Sequence, residues 1–279
     1  MSDTHRSHED QEALWNGPAG RAWVEARDVL DGMFQPFEDR LTGEVAASHR
    51  VLDVGCGTGS TTLAIARKLL PTGRSVGIDL SAPQLAVAQA RARQEGIAAD
   101  FILGDAQTCA FASADFDLIV SRFGVMFFDD PVRAFSHLRR AAKDGAGLRF
   151  IAWRSGSENP FMTTAERAAA PLLPGLPARR SGGPGQFAFE DRGRVQCILE
   201  AGGWSGIDIQ PIDVICRFAE RDLTRYLTWL GPVGGVLQQT AEPLRGQVIE
   251  AVRAAFDRYV YGDEVRFTAA CWWVSAQAS

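Results

Sequence analysis

Val51-Leu52-Asp53-Val54-Gly55-Cys56-Gly57-Thr58-Gly59 reads as an apolar strand entering a three-glycine turn that opens a helix. Glycines free the backbone to turn tightly and to lie against a ligand, and the first N–H groups of the helix are offered to a carboxylate or phosphate. Asp79 ends a second apolar run 20 residues after Gly59, where an acid accepts hydrogen bonds from ribose hydroxyls. A dinucleotide fingerprint needs its third glycine, or an alanine, at position 60, which here is Ser60. Asp53, two residues ahead of the first glycine, repels a diphosphate and attracts an ammonium or sulfonium group. These residues suit a ribose-bearing cation, and the spacing favours S-adenosylmethionine over NAD.

The elements that hold these residues follow from hydrophobic periodicity. Short apolar runs at Val51–Val54, Ser75–Asp79, Ala98–Leu103, Asp117–Ser121 and Gly147–Trp153 alternate with helical patterns, the signature of parallel strands joined by crossover helices. The first helix starts near Gly59 with Leu63, Ala66 and Leu70 on its apolar face. The second is capped by Ser81 and turns Leu85, Ala88 and Ala92 inward, and the third begins near Asp130 and Pro131 with Ala134, Phe135, Leu138 and Ala142. Downstream the pattern predicts a helix over Asp191–Ala201 stopped by Gly202 and Gly203, and strands Ile207–Phe218 and Val265–Ala276. Helices at Arg221–Leu230 and Glu242–Tyr259 separate those strands, while Pro171–Gln186, rich in Pro, Gly and Arg, reads as loop. Residues 9–40 read as helical, packed across the strand ends.

The ordered motifs resemble the class I S-adenosylmethionine-dependent methyltransferases, particularly the ubiquinone/menaquinone-biosynthesis-like group, over roughly residues 14–218. Val51–Gly59 resembles the family's glycine-rich motif, Gly77–Ser81 its ribose-binding acidic motif, Gly104-Asp105-Ala106 its adenine-edge motif and Phe116–Ser121 its fourth-strand motif. The resemblance implies a Rossmann-like, seven-stranded, mostly parallel α/β sheet with an antiparallel last strand, a helical N-terminal cap and lid insertions. It assigns Asp53, Gly55, Cys56, Gly57 and Gly59 to the methionine part, Asp79 and Leu80 to the ribose, and Gly104, Asp105 and Ala106 to the adenine. Ser121, Arg122 and Phe123 fall on the methyl-donor side. Lys143–Gly147 departs from the Pro-Gly-Gly turn usual before the fifth strand, which leaves that turn's geometry open. The cap is expected over 1–40, the cofactor core over 41–153, the lid over 154–190, and the last helix and strand pair over 191–279 with a helical insertion at about 219–262.

Trp15 and Trp23 are expected as a lid over the cofactor, with Trp15 hanging from the breaker-rich loop Trp15–Gly20. Met126, Trp153, Asn159, Phe161 and Phe187 are the substrate-pocket residues, joined by Pro160, Met162, Phe189 and Trp229. No catalytic acid, base or metal ligand is assigned. Arg122 is the one catalytic candidate, since it follows the strand end where α/β crevices open. Cys56 is a small filler and His137 a packing residue. The expected reaction is methyl transfer to a small, partly apolar metabolite at O, N or C, with S-adenosylhomocysteine as product. A non-methylating S-adenosylmethionine-binding sensor or interaction protein is the alternative.

The chain has 279 residues, 46% hydrophobic and 23% charged, which excludes a disordered or fibrous protein. Basic residues number 29 against 34 acids, and the net charge of −5 gives no overall basic field for nucleic acid or anionic lipid. All but two of the basic residues, Lys68 and Lys143, are arginine. Five dispersed cysteines without a C-x-x-C pair, a polar start and no long apolar run fit a reducing cytoplasm without signal or span. A homodimer is compatible with aromatics in the C-terminal insertion.

Overall fold

The structure, a computed structural model, describes residues 3–176 and 183–279, and the side chains of all of these except residues 3–9. Positions 177–182 of the expected Pro171–Gln186 loop lie outside the described residues, and the rest of that loop contains neither helix nor strand. Three helices come first: α1 (Asp3–Asn16), α2 (Pro18–Glu25) and α3 (Arg27–Gly43). Strands and helices then alternate as β1 (Arg50–Val54), α4 (Ser60–Lys68), β2 (Arg74–Asp79), α5 (Ala82–Glu95), β3 (Asp100–Leu103), β4 (Phe116–Arg122), α6 (Pro131–Ala141) and β5 (Ala142–Trp153). Two helices, α7 (Phe161–Ala169) and α8 (Arg192–Ala201), lead to β6 (Trp204–Ala219). The chain ends with α9 (Leu223–Trp229), α10 (Gly231–Leu237), α11 (Leu244–Phe256), the two-residue β7 (Val260–Tyr261) and β8 (Glu264–Ala278).

The sheet order is β3-β2-β1-β4-β5-β8-β6, with β7 paired to β8. The strands β1–β5 run parallel, and β8 is antiparallel to both β5 and β6. This is a Rossmann-like sheet with an antiparallel C-terminal strand, as the sequence predicts. Helices cover it because the crossover faces bury Leu85, Ala88 and Ala92 of α5 and Ala134, Phe135 and Leu138 of α6. Asp130 caps α6 by accepting the Arg133 N–H at 2.9 Å, and Asp191 caps α8 through Arg194 at 3.0 Å. Gly203, at φ +81°, follows the C-cap of α8.

Several local expectations change. The apolar face of α4 is Leu63 and Ile65 with Thr62; the helix stops at Lys68, so Leu70 falls beyond it and is 59% exposed. Ser81 stands at the N-cap of α5 without capping it, because its hydroxyl donates to the Trp15 carbonyl at 2.7 Å. The cap comes instead from the N-terminal segment: Asn16 Oδ1 accepts the Ala82 N–H at 2.9 Å while its Nδ2 donates to the Leu80 carbonyl at 3.0 Å. Lys143–Gly147 belongs to β5 as a bulge. Phe116 pairs with Ala142 and Leu118 with Gly147, and Gly145 at φ +79° absorbs the extra residues. Neither α7 nor α10 was expected. Periodicity is faint in the seven-residue α10, Gly-Pro-Val-Gly-Gly-Val-Leu, which forms because Val233 and Leu237 are buried by neighbouring helices.

Candidate functional site

The C-terminal ends of β1, β2, β3 and β4 open into one cavity of about 1150 Å³, roofed by α1–α3 on one side and by α7, α9 and α10 on the other. Such crevices are where parallel α/β sheets bind ligands. The volume exceeds the roughly 300–1,000 Å³ usual for a single drug-sized molecule.

The glycine turn forms the floor. Gly55 has φ +71°, and a Cβ there would lie 2.7 Å from Gly124 Cα, so the turns after β1 and β4 touch backbone to backbone. A Cβ on Gly59 would lie 2.8 Å from the Ala88 Cβ, so this glycine serves the packing of α4 against α5 and does not line the cavity. Asp79 closes the floor. Its Oδ2 accepts the Gly57 N–H and its Oδ1 the Ser81 N–H, both at 2.8 Å, and each oxygen keeps a lone pair for a further donor. Asp105 is oriented by Gln107, whose backbone N–H donates to Oδ1 at 2.8 Å and whose Nε2 donates to Oδ2 at 3.0 Å.

Charge is concentrated at the β1–β4 end. Burial pushes the Asp53 carboxyl up to about 6, against a hydrogen bond from Thr62 Oγ1 at 2.6 Å and the attraction of Arg122. Asp79 is likewise raised by burial, opposed by its backbone N–H bonds. On α3, Asp31 pairs with Arg91 at 3.0 Å; burial still holds its carboxyl above the usual range. Burial and the nearby carboxylates push the Cys56 thiol far up, so it is no nucleophile at neutral pH, in line with its reading as filler.

The other half of the cavity is aromatic. Phe123 stacks on Trp153, with centroids 4.4 Å apart and planes 6° from parallel, and Phe34 and Phe37 pack on Phe123 at 5.2 Å. Phe123 takes φ +66°, a backbone strain held by packing at the mouth of β4. The Trp153 N–H points at Met126 Sδ, 3.4 Å away. Phe161, Met162 and Phe187 line this lobe, and Tyr226, Trp229 and Leu230 close it from the insertion between β6 and β8.

Of the expected residues, Trp15, Trp23, Asp53, Gly55, Cys56, Gly57, Asp79, Leu80, Gly104, Asp105, Ala106, Arg122, Phe123, Met126, Trp153, Phe161 and Phe187 line the cavity. Trp15 sits in the last turn of α1, not on a loop, because Gly17 and Pro18 break the helix just after it; its ring meets Trp23 at 6.2 Å and Phe127 at 5.1 Å. Five expected residues stand outside. Ser121 is fully buried, its hydroxyl donating to the Val54 carbonyl at 2.7 Å and accepting the Gly124 N–H at 3.1 Å, so it pins the turn after β4. Asn159 is also fully buried and pairs both ways with the Ala270 backbone at 2.9 Å, fixing the lid to β8. Gly59 is the third, for the packing reason given above.

Pro160 and Phe189 are likewise absent from the lining, Phe189 because it packs against Phe135 and Phe150 in the core. His137 packs on Phe111 and bonds the Cys109 carbonyl at 2.6 Å, away from the cavity. Sequence reading missed Arg27, Asp31 and Phe34 of α3. Their signal is present as spacing: with Leu30 they recur at i, i+3, i+4 and i+7, a helix face on which charges interrupt an apolar stripe.

Residues 51–145 match the family described as a methyltransferase domain. A demethylmenaquinone methyltransferase of Lactiplantibacillus plantarum is 37% identical over 106 residues, 37% of this chain and 45% of that protein. The chain thus spans under half the length of that relative. Among solved structures, the YcgJ protein of Bacillus subtilis superposes with a TM-score of 0.56 at 18% identity, over 87% of this chain and 98% of that one. Haemonchus contortus phosphoethanolamine N-methyltransferase 2, solved in complex with S-adenosyl-L-methionine, gives a TM-score of 0.52 at 18% identity, over 88% of this chain and 52% of that one. At such identities the likeness is one of fold. No helix among the described residues is long and apolar enough to cross a membrane, and no cluster of three or more His, Cys, Asp or Glu there could hold a metal ion.

Proposed function

We propose that this chain, whose residues 51–145 form a methyltransferase domain, transfers a methyl group from S-adenosylmethionine to a small, partly apolar organic acceptor at O, N or C. One observation carries the reading: a single cavity joins a floor of glycine turn and carboxylates to an aromatic lobe of separate elements, with room for donor and acceptor together. When bound, S-adenosylmethionine supplies an electrophilic methyl on a sulfonium with a neutral leaving group. The chain's residues then bind, orient and exclude water, and held near-attack geometry alone supplies about 7–11 kcal/mol.

In this proposal the free lone pairs of Asp79 accept the ribose hydroxyls, Asp105 and Ala106 meet the adenine edge, and Gly55, Cys56 and Gly57 cradle the amino-acid tail. Trp15 and Trp23 cover the nucleoside, held down by the bonds from Asn16 and Ser81. Phe123, Met126, Trp153, Phe161 and Phe187 wall the acceptor lobe and keep water from the sulfonium. Neither His nor Lys is among the described lining residues, whereas the Asp31 carboxyl is; the acceptor is either already nucleophilic or loses its proton to water or to such a carboxylate. The test is production of S-adenosylhomocysteine across a panel of phenols, amines and stabilised carbanions. Cofactor binding with no turnover on any of them would contradict the proposal and favour a binding protein.

Asp53 adds a pH dependence. Its folded value of about 6 lies above the ordinary 3.8. A raised carboxyl favours folding most below its unfolded value and loses that contribution as pH rises through about 6, so the ionised, buried form burdens the empty protein at neutral pH. A cationic ligand reverses the sign by favouring the carboxylate. Affinity for S-adenosylhomocysteine, which keeps the α-ammonium, is expected to fall roughly tenfold per unit below about pH 6. Calorimetry at pH 5 and 7 checks it; equal affinities would show that no cation sits beside Asp53.

A further inference from the structure

We propose that Asp31 is the base that takes the acceptor's proton, and that the acceptor is an aromatic hydroxyl seated against Phe34, Phe123 and Trp153; this rests on the methyl-transfer reading above. Asp31 and Phe34 stand three residues apart on α3, on one helix face, and both line the cavity. The Phe34 ring packs 5.2 Å from Phe123 and 6.1 Å from Trp153, so the carboxyl lies about one helical turn from the aromatic wall. The Arg122 guanidinium marks the same neighbourhood, since it sits 5.7 Å over the Phe34 ring and also acts on the Asp31 charge.

Arg91 holds the carboxyl by one oxygen, with Nη2 3.0 Å from Oδ2. Its Nη1 donates to the Thr58 carbonyl at 2.9 Å, which ties Asp31 to the glycine turn. No described group donates a hydrogen bond to Oδ1, and this oxygen is not sealed in protein. A carboxylate fixed at one oxygen and open at the other is shaped to accept a proton from a ligand. Burial raises the Asp31 carboxyl above its ordinary range, and Glu38 acts in the same direction, while Arg91, Arg122 and Arg27 oppose. So raised, it takes a proton more readily than a solvated carboxylate does.

The other carboxyls on the cavity are placed for other work. Asp53, Asp79 and Asp105 lie on the floor, bonded to Thr62, to backbone N–H groups and to Gln107. Glu166 has a contact of its own, and Asp10 and Glu190 are exposed. A hydroxyl is the acceptor that needs a base, because a neutral amine attacks with a lone pair it already has, whereas a phenol is mostly protonated at neutral pH. Asp31 Oδ1 takes the hydroxyl proton as the oxygen's electron pair bonds to the methyl carbon and the pair of the broken carbon–sulfur bond stays on sulfur. The proton then leaves Asp31 for solvent.

The test compares 2-naphthol and 2-naphthalenethiol as acceptors for wild type and Asp31→Asn. The two share size and shape, but the thiol ionises near neutrality without help. Asp31→Asn should lower kcat for the naphthol by roughly 10²- to 10⁴-fold, the contribution of a positioned general base, and kcat for the thiol by less than about threefold. Affinity for S-adenosylhomocysteine should also change by less than about threefold, which reports that the variant is folded and its donor site intact. In wild type the naphthol rate relative to the thiol rate should fall as acid protonates Asp31, and in Asp31→Asn that fall should be gone. Equal loss for both acceptors would overturn the base in favour of a carboxyl that only braces α3. Undiminished naphthol turnover in the variant would overturn it in favour of water. Wild type that methylates other acceptors but not the naphthol would overturn it while leaving the methyl-transfer reading intact. No product from any acceptor would instead contradict that reading, a distinct result.

Discussion

Asp79→Ala is expected to weaken binding of S-adenosylhomocysteine by about a hundredfold or more while changing stability by no more than about 2 kcal/mol. The carboxylate accepts two backbone N–H bonds within the protein and has lone pairs left for two ribose hydroxyls. Each charge-assisted bond is worth about 1.5–3 kcal/mol, so losing two is a factor of about a hundred or more. Stability responds differently because two effects oppose. The variant strands the Gly57 and Ser81 N–H groups, yet it also removes a carboxylate whose raised value marks unfavourable burial of its charge at neutral pH. The two largely offset, and the net change should stay within about 2 kcal/mol. Calorimetric titration beside urea unfolding checks both halves. Loss of affinity with matching loss of stability would mean that Asp79 only braces the loop.

Gly55→Ala should destabilise the protein by about 3–5 kcal/mol, one of the larger effects a single methyl can have. Left-handed backbone costs an alanine about 1–2 kcal/mol. The added Cβ would also lie 2.7 Å from Gly124 Cα, and neither backbone can yield without parting β1 from β4. Gly96 supplies the control: it sits at φ +63° past the end of α5 with nothing near a Cβ. Gly96→Ala should cost only the conformational share, about 1 kcal/mol. Unfolding both variants in urea isolates the clash, and equal losses would contradict a backbone contact between the two turns.

How far the sequence could be read depends on where each signal is written. Crossover strands and helices carry their period in their own residues, and α6 and α8 their caps as well, so β1, β2, α5, α6 and α8 are legible, as is the floor of Asp53, Asp79 and Asp105. Ser121 and Asn159 mislead because a polar residue at a strand end or on a lid looks alike in sequence whether it faces a ligand or a carbonyl. Only the structure shows their groups already spent on Val54 and Ala270. The Ser81 cap fails for a similar reason: its partner Trp15 and its substitute Asn16 come from 66 residues away. Of the roof, Trp229 is legible in the sequence, whereas Tyr226 and Leu230 join it only once α9 and α10 fold back over the strand ends.

The central claim concerns the kind of nucleoside held after β1. Calorimetric titration of the wild-type protein with S-adenosylmethionine and, separately, with NADH addresses it most directly. A saturable one-to-one heat with the sulfonium nucleoside and none with the dinucleotide is the expected outcome. Binding of NADH, or of neither, would contradict it.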